Sequence, residues 1–359
     1  MKRTVRTTAS THHTTANTPH TNARSARATL PLTACALSAA LLLSACGEGS
    51  QGSSGSEGEG EVKVGLITKT DTNPFFVKMK QGAERAAKES GAELSTAAGK
   101  FDGDNEGQVT AIENMVAAGV RGILITPNDS KAIVPAVKQA RAKGVLVIAL
   151  DSPTEPQDAV DALFATDNHK AGELIGQYAK AAMEGKDAKI ATLDLAPGVA
   201  VGQLRHDGFL KGFGIKKGDP SIVCSQDTGG DQSKGQTAME NCLQKAPDVN
   251  VVYTINEPAA LGAHTALKAK GRDKDVLIVS VDGGCTGTKA VKSGKITATS
   301  QQYPLAMAAE GVEAVVAYAK DESKKPQGYV DTGVRLITDQ PVGGEEAKDT
   351  AYGLENCWG

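Results

Sequence analysis

The sequence is poor in aromatic residues, in net charge and in long apolar runs. Only 4% of its 359 residues are Phe, Trp or Tyr, so an aromatic pair set in a polar loop carries more weight here than elsewhere. A formal net charge of -3 supplies no general field for nucleic acid or for an anionic membrane. No GxSxG, HExxH or GxxxxGK[ST] pattern occurs, and His169, His206 and His264 stand apart in sequence beside nothing that resembles a triad. An enzyme is therefore disfavoured. There is no CxxC and no paired Cys/His spacing, and no metal or other cofactor is expected. The acidic run DGDNEGQVTAIE, residues 102–113, has the rhythm of a calcium loop, but Glu106 stands at the fifth place and a strand precedes it. It reads as an acidic amino-terminal cap on the helix that follows.

What is present begins with a leader. Residues 1–29 carry Lys2, Arg3, Arg6, Arg24 and Arg27 and no acid, and residues 30–45 form a short, interrupted apolar core. That core is too short to span a membrane as a mature helix, so residues 1–45 read as an export signal. The segment Leu43-Ser44-Ala45-Cys46 looks like a bacterial lipobox, in which Cys46 would be lipidated and become the first residue. Residues 46–61 would then be a tether, since Gly, Ser and Glu without apolar residues cannot collapse onto a core. A helix-turn-helix, which a DNA-binding regulator would need, has no place in such a segment.

From Val62 the chain alternates. VKVGLIT (62–68) reads as a buried strand, Asn73-Pro74 opens a helix, and Phe76, Met79, Ala83 and Ala86 recur at helical spacing. Strands follow at 93–98, 122–126 and 145–151, separated by helices that stop at Gly119 and Gly144. A second set starts after FATDN (164–168), with strands at 189–195, 221–225, 249–255 and 276–282 between helices. This rhythm requires parallel pairing through right-handed crossovers, giving doubly wound α/β lobes. A helix near 304–319 and a strand near 330–337 are too little for a third domain and are expected to cross back. The expected lobes are 62–165 with about 303–331, and 166–302 with about 332–359, joined by a multi-crossing hinge.

Once Cys35 leaves with the signal and Cys46 takes lipid, four cysteines remain: Cys224, Cys242, Cys285 and Cys357. In an exported chain an even remainder suggests two disulfides. Of three possible pairings, Cys224 with Cys242 and Cys285 with Cys357 is the one expected.

Polar residues recur just past buried strands, where open parallel sheets bind ligands. Asn73 with Phe75 and Phe76 follow the first strand, Thr126, Asn128 and Asp129 the third, Asp151 the fourth, and Asn256 and Asp282 two strands of the second set. Any one of these polar residues is as well explained as a helix cap. Together, directed at one cleft, they suit a polyhydroxylated neutral ligand, because carboxylates and amides accept from hydroxyls while a flat ring covers the apolar face of a sugar.

The motifs VGLITKTDTNPFFVKMKQGAE, GILITPNDS, VIALDSP, YTINEPAALGA, VSVDGG and SQQYP, in that order, resemble the ribose-type periplasmic sugar-binding proteins of ABC importers, most closely the fructose-binding branch. The likeness covers residues 62 to about 338. It implies a monomeric, extracytoplasmic solute receptor that closes on a monosaccharide and docks on ABC permease subunits, with no nucleic-acid partner. Fructose is the expected ligand, with ribose or another monosaccharide the alternative. The resemblance implies ligand contacts at Asn73, Phe75, Phe76, Asp151, Arg205, Asn256, Asp282 and Gln302. Arg205 and Gln302 enter by this likeness alone. Two departures bear on the ligand: Ser152 stands where ribose binders carry Arg, and GGD (229–231) stands where they carry a third aromatic.

Overall fold

The computed structural model describes residues 61–344 and 346–359. The expected export signal, Cys46 and nearly all of the tether lie outside them. The first elements are β1 (Lys63–Thr68), α1 (Pro74–Ser90), β2 (Glu93–Ala98), α2 (Asn105–Ala117), β3 (Gly122–Ile125), α3 (Val134–Ala142), β4 (Leu146–Leu150) and β5 (Ala162–Ala165). Then come α4 (Asn168–Met183), β6 (Ile190–Asp194), α5 (Ala200–Phe213), β7 (Ile222–Asp227), α6 (Gln232–Lys245), β8 (Val251–Thr254), α7 (Glu257–Ala269), β9 (Leu277–Asp282), α8 (Cys285–Lys292) and β10 (Ala298–Gln301). The tail adds α9 (Pro304–Lys320), β11 (Gly328–Asp331), β12 (Arg335–Ile337), β13 (Ala347–Lys348) and α10 (Thr350–Glu355).

Two sheets result, ordered β11-β5-β4-β3-β1-β2 and β13-β12-β10-β9-β8-β6-β7. Their inner five strands follow one scheme, since β5-β4-β3-β1-β2 and β10-β9-β8-β6-β7 are the same path run twice. Every pairing is parallel except β10 with β12. Buried strands such as β3 and β4 are apolar throughout because helices cover both faces. In the first lobe Val64, Leu66, Leu124 and Ile148 face α1 and α9, while Ile67, Ile123, Ile125 and Val147 face α2 and α3. In the second, Tyr253, Val279 and Val281 face α4 and α5, while Leu193, Val252 and Ile278 face α6 and α7. The two α/β lobes expected from the sequence are present.

The chain passes between the lobes three times, at β5 to α4, β10 to α9 and β11 to β12. The single strand expected near 330–337 is in fact two strands in two sheets. Gly333, at φ 90°, breaks it, and its N–H donates to Asp331 Oδ1 at 2.8 Å. Disulfides join Cys224 on β7 to Cys242 on α6 and Cys285 at the start of α8 to Cys357 near the carboxyl terminus. Helices α4 and α5 cross backbone against backbone: a Cβ at Gly172 would run into the Arg205 carbonyl, and one at Gly208 into that of His169. This close crossing seats Arg205.

Candidate functional site

The residues that follow the strands of both lobes enclose one buried cavity. The first lobe contributes Lys69, Asn73, Phe75, Phe76, Asp102 and Asp151; from the second come Leu195, Val201, Arg205, Ile255, Asn256 and Asp282, with Gln302 at a crossing. Its centre leaves about 30 Å³ for the centres of water molecules. It shares Asn73, Asp102 and Asp282 with a wider chamber of about 530 Å³ at the mouth of the cleft. Two larger or similar hollows elsewhere lack such convergence. The groove of about 790 Å³ beside Gln177–Lys186 is open, and the one of about 460 Å³ around Asp161 has its carboxylate already taken by Arg141 and Lys325.

Arg205 is the hub. Its Nε donates to Asn168 Oδ1 at 2.7 Å, Nη1 to the Ile255 carbonyl at 3.0 Å, and Nη2 to Gln302 Oε1 at 3.2 Å and Asp151 Oδ1 at 3.4 Å. Asp282 Oδ1 lies 4.0 Å from Nη1 and accepts from Gln302 Nε2 at 2.9 Å. Carboxylates from opposite lobes thus converge on a single guanidinium, Asp151 by a hydrogen bond and Asp282 by charge and through Gln302. Asp151 and Asp282 are also the only non-glycine residues at positive φ among the described residues, at 60° and 147°. Backbone held in a sparsely populated region at two equivalent strand ends marks a site where geometry has been kept at a cost in stability.

Burial sets the charge states. It pushes Asp282 up to about 6, with Arg205 and the Gln302 hydrogen bond pulling the other way. Burial raises Asp102 as well, against the pull of Lys69, and lowers Lys69, against the pull of Asp102 and Asp151. In each of these groups burial disfavours the charged form, and the neighbouring charges and hydrogen bonds offset part of that penalty. Asp102 Oδ1 is buried with no hydrogen-bond partner among the described residues, an acceptor left open.

Eight of the expected contacts meet here: Asn73, Phe75, Phe76, Asp151, Arg205, Asn256, Asp282 and Gln302. The two asparagines are caps as well. Asn73 Oδ1 accepts from Phe75 N at 3.0 Å, leaving its amide group for the cavity side, whereas Asn256 Oδ1 accepts from Ala259 N at 3.1 Å and its Nδ2 donates to the Gly230 carbonyl at 3.0 Å. Thr126, Asn128 and Asp129 do not reach the cavity. Thr126 is buried against Met79, and Asn128 ties Lys69, Gly103 and Asp104 together through their backbones. Asp129 caps the turn at Lys131 and Ala132. The stretch is drawn instead into contact between lobes, where Ser130 N donates to the Gly198 carbonyl and Ala200 N to Ser130 Oγ, each at 3.1 Å. In the acidic run, Asp104 Oδ1 accepts from Gly107 N at 3.0 Å and caps α2.

Four further residues of the site are not among those expected. Lys69 is the residue directly after β1, and Asp102 lies in the loop after β2, so both carried the positional signal without being singled out. Asn168 donates to the Asp151 carbonyl at 3.0 Å while holding Arg205, and so couples the two lobes. Glu257, raised well above the usual range by burial and then by Asp282, accepts from Gly283 N, Gly284 N and Thr299 Oγ1 and braces the turn that carries Asp282. Ser152 folds back onto its neighbour, Oγ donating to Asp151 Oδ2 at 3.0 Å.

Residues 64–323 match the family model described as a periplasmic binding protein domain. The chain is 36% identical over 244 residues to the ribose import binding protein of Bacillus subtilis (strain 168), covering 68% of this chain and 77% of that one. An ABC transporter periplasmic solute binding protein from Actinobacillus succinogenes, solved with bound D-allose, superimposes with a TM-score of 0.69 at 30% identity, over 77% of this chain and 98% of that one. A galactofuranose binding protein does so with a TM-score of 0.73 at 25% identity, over 82% and 97%. All three are binding proteins rather than enzymes. With the paired lobes, the enclosed cavity and this agreement over most of its length, the chain belongs to the periplasmic binding protein family.

Proposed function

We propose that the chain is a lipid-anchored, extracytoplasmic receptor that captures a monosaccharide for an ABC importer, with fructose as the preferred sugar. The observation that carries the reading is the convergence of Asp151 and Asp282, from equivalent strand ends of opposite lobes, on Arg205 beside the Phe75–Phe76 pair. Carboxylates accept from sugar hydroxyls, Arg205 and Lys69 donate to ring or carbonyl oxygens, and the phenyl rings cover an apolar face. The relatives support the class, being receptors of ribose, D-allose or galactofuranose. Within that class, fructose is favoured over ribose by the two departures: Ser152 extends no cation into the cavity, and Gly230 presents no ring. The lobe boundaries, the eight cavity contacts together with Lys69 and Asp102, Cys46 as the lipid anchor, the permease as partner and a monomeric state are all part of this proposal.

Closure of the lobes needs a ligand that binds the closed form better, and a sugar touched from both sides supplies that difference. Titration calorimetry of the purified protein against fructose, ribose, allose, galactose, glucose and myo-inositol tests the reading. Saturable binding of fructose ahead of ribose is expected. Failure of every monosaccharide to bind removes it, and a clear preference for ribose or allose moves the ligand within the same class.

A further inference from the structure

We propose that Trp358, the only tryptophan of the chain, is a latch that holds the lobes closed and braces the aromatic wall of the cavity. This rests on the receptor reading above. All the polar anchors of Trp358 lie in the second lobe or at a crossing. Its neighbour Cys357 is bonded to Cys285 at the start of α8, its carbonyl accepts from Cys285 N at 2.8 Å, and its Nε1 donates to the Gln302 carbonyl at 2.8 Å. Its indole also lies over Gly284, where an added Cβ would come within 3.3 Å of the ring. On the first lobe it touches by aromatic contact: the indole meets Phe75 edge-on, with centroids 5.4 Å apart and planes at 76°. Phe75 in turn meets Phe76 at 5.4 Å and 84°, and both line the cavity.

The asymmetry decides the behaviour. A tail fixed to one lobe by a disulfide and two hydrogen bonds moves with that lobe, and a ring-on-ring contact to the other lobe parts when the hinge opens. Trp358 is 5% exposed here, where the lobes already touch through Ser130, Gly198 and Ala200. Opening would bare its indole and withdraw the support behind Phe75. Closed-form stability, and with it the residence time of the sugar, therefore includes the Trp358–Phe75 contact, as a difference in population rather than as a direct ligand contact.

The test uses the purified wild type, Trp358→Ala, Trp358→Phe and the Cys285→Ser/Cys357→Ser double variant, with fructose and ribose as probes. Acrylamide quenching of wild-type tryptophan fluorescence should fall on adding the sugar that binds. Trp358→Ala should speed sugar dissociation by about tenfold with little change in association rate, the size expected for losing one edge-on aromatic pair. Trp358→Phe should recover most of the loss, because it keeps a ring against Phe75, and the double serine variant should resemble Trp358→Ala. Unchanged quenching and an unchanged dissociation rate in Trp358→Ala would show a static tail and overturn the latch. If wild type binds neither sugar, the receptor reading fails separately, and small-angle scattering of ligand-free protein then decides the latch: a larger radius of gyration for Trp358→Ala supports it, and an equal one refutes it.

Discussion

Asp151 carries two loads, a left-handed backbone and a carboxylate, and a pair of substitutions separates them. At φ 60°, Asp151→Ala keeps a Cβ and so keeps the steric cost, about 1 kcal/mol, whereas Asp151→Gly removes it and gives part back as unfolded-chain entropy. The glycine variant should be the more stable of the two by roughly 0.5 kcal/mol in chemical denaturation. Both variants strip Arg205 of one partner. Arg205 keeps Asn168, the Ile255 carbonyl and Gln302, so the fold should lose about 1 kcal/mol rather than the 3–5 kcal/mol of a stranded buried charge. Both should lose the same amount of sugar affinity, about 2 kcal/mol or roughly thirtyfold in Kd, because each removes a charged acceptor from a desolvated hydroxyl. Calorimetry on the two folded variants reads the second effect independently of the first. An alanine variant more stable than the glycine one would refute the backbone reasoning, and wild-type affinity in either would refute the placement of the sugar.

Asp282 gives a pH signature. Its folded pKa, raised from 3.8 to about 6 by burial, means that the folded state holds the proton more tightly. Its contribution is present at low pH and is lost as pH rises through about 6, on the order of 3 kcal/mol, and Asp282→Asn should flatten that limb of the stability profile. Because the ionised carboxylate is the better acceptor for a sugar hydroxyl, Kd should fall between pH 5 and pH 7.5; equal values at both would mean that Asp282 does not titrate on binding. Gly208→Ala should dislodge the α4–α5 crossing and cost several kcal/mol, with sugar binding lost through misplacement of Arg205, and a wild-type melting curve would contradict this. If Cys46 anchors the chain, wild type fractionates with membranes and Cys46→Ser is released or accumulates unprocessed; equal solubility of the two would end that proposal.

The apolar strands were legible because helices on both faces leave no polar position to confuse them: β1, β3, β4, β8 and β9 all fall inside the stretches read from aliphatic and β-branched runs. β10 was not. Its sequence is ATSQ, fully buried, and its polar side chains reach partners distant in sequence, Ser300 Oγ donating to the Ala171 carbonyl and Gln301 Nε2 to the carbonyls of Gly283 and Gly353. A buried strand of polar residues carries no hydrophobic period, and only the partners it finds in three dimensions explain it. β5 was missed for another reason, since four residues beside FATDN are too few to show a period. In the site, strand-end position found the carboxylates and amides but could not separate Asp151 from Asp129. That difference lies in which loop turns toward the cavity and which is taken up by contact between lobes. Arg205, mid-helix on α5, was reachable only by likeness.

The repeated strand path has a consequence for how such a receptor can change its diet. Asp151 directly follows the fourth strand of one sheet and Asp282 ends the corresponding strand of the other, as two copies of one ancestral unit would leave them. Each copy offers a half-site, weak by itself, that becomes effective because the hinge keeps its counterpart at a high local concentration. Loss in either half scales down the whole, yet one half can hold a shared part of many solutes while the other drifts. Gly229–Gly230 and Ser152 lie on opposite sides of that division, so the two departures from the ribose pattern are separate adjustments, one made in each half.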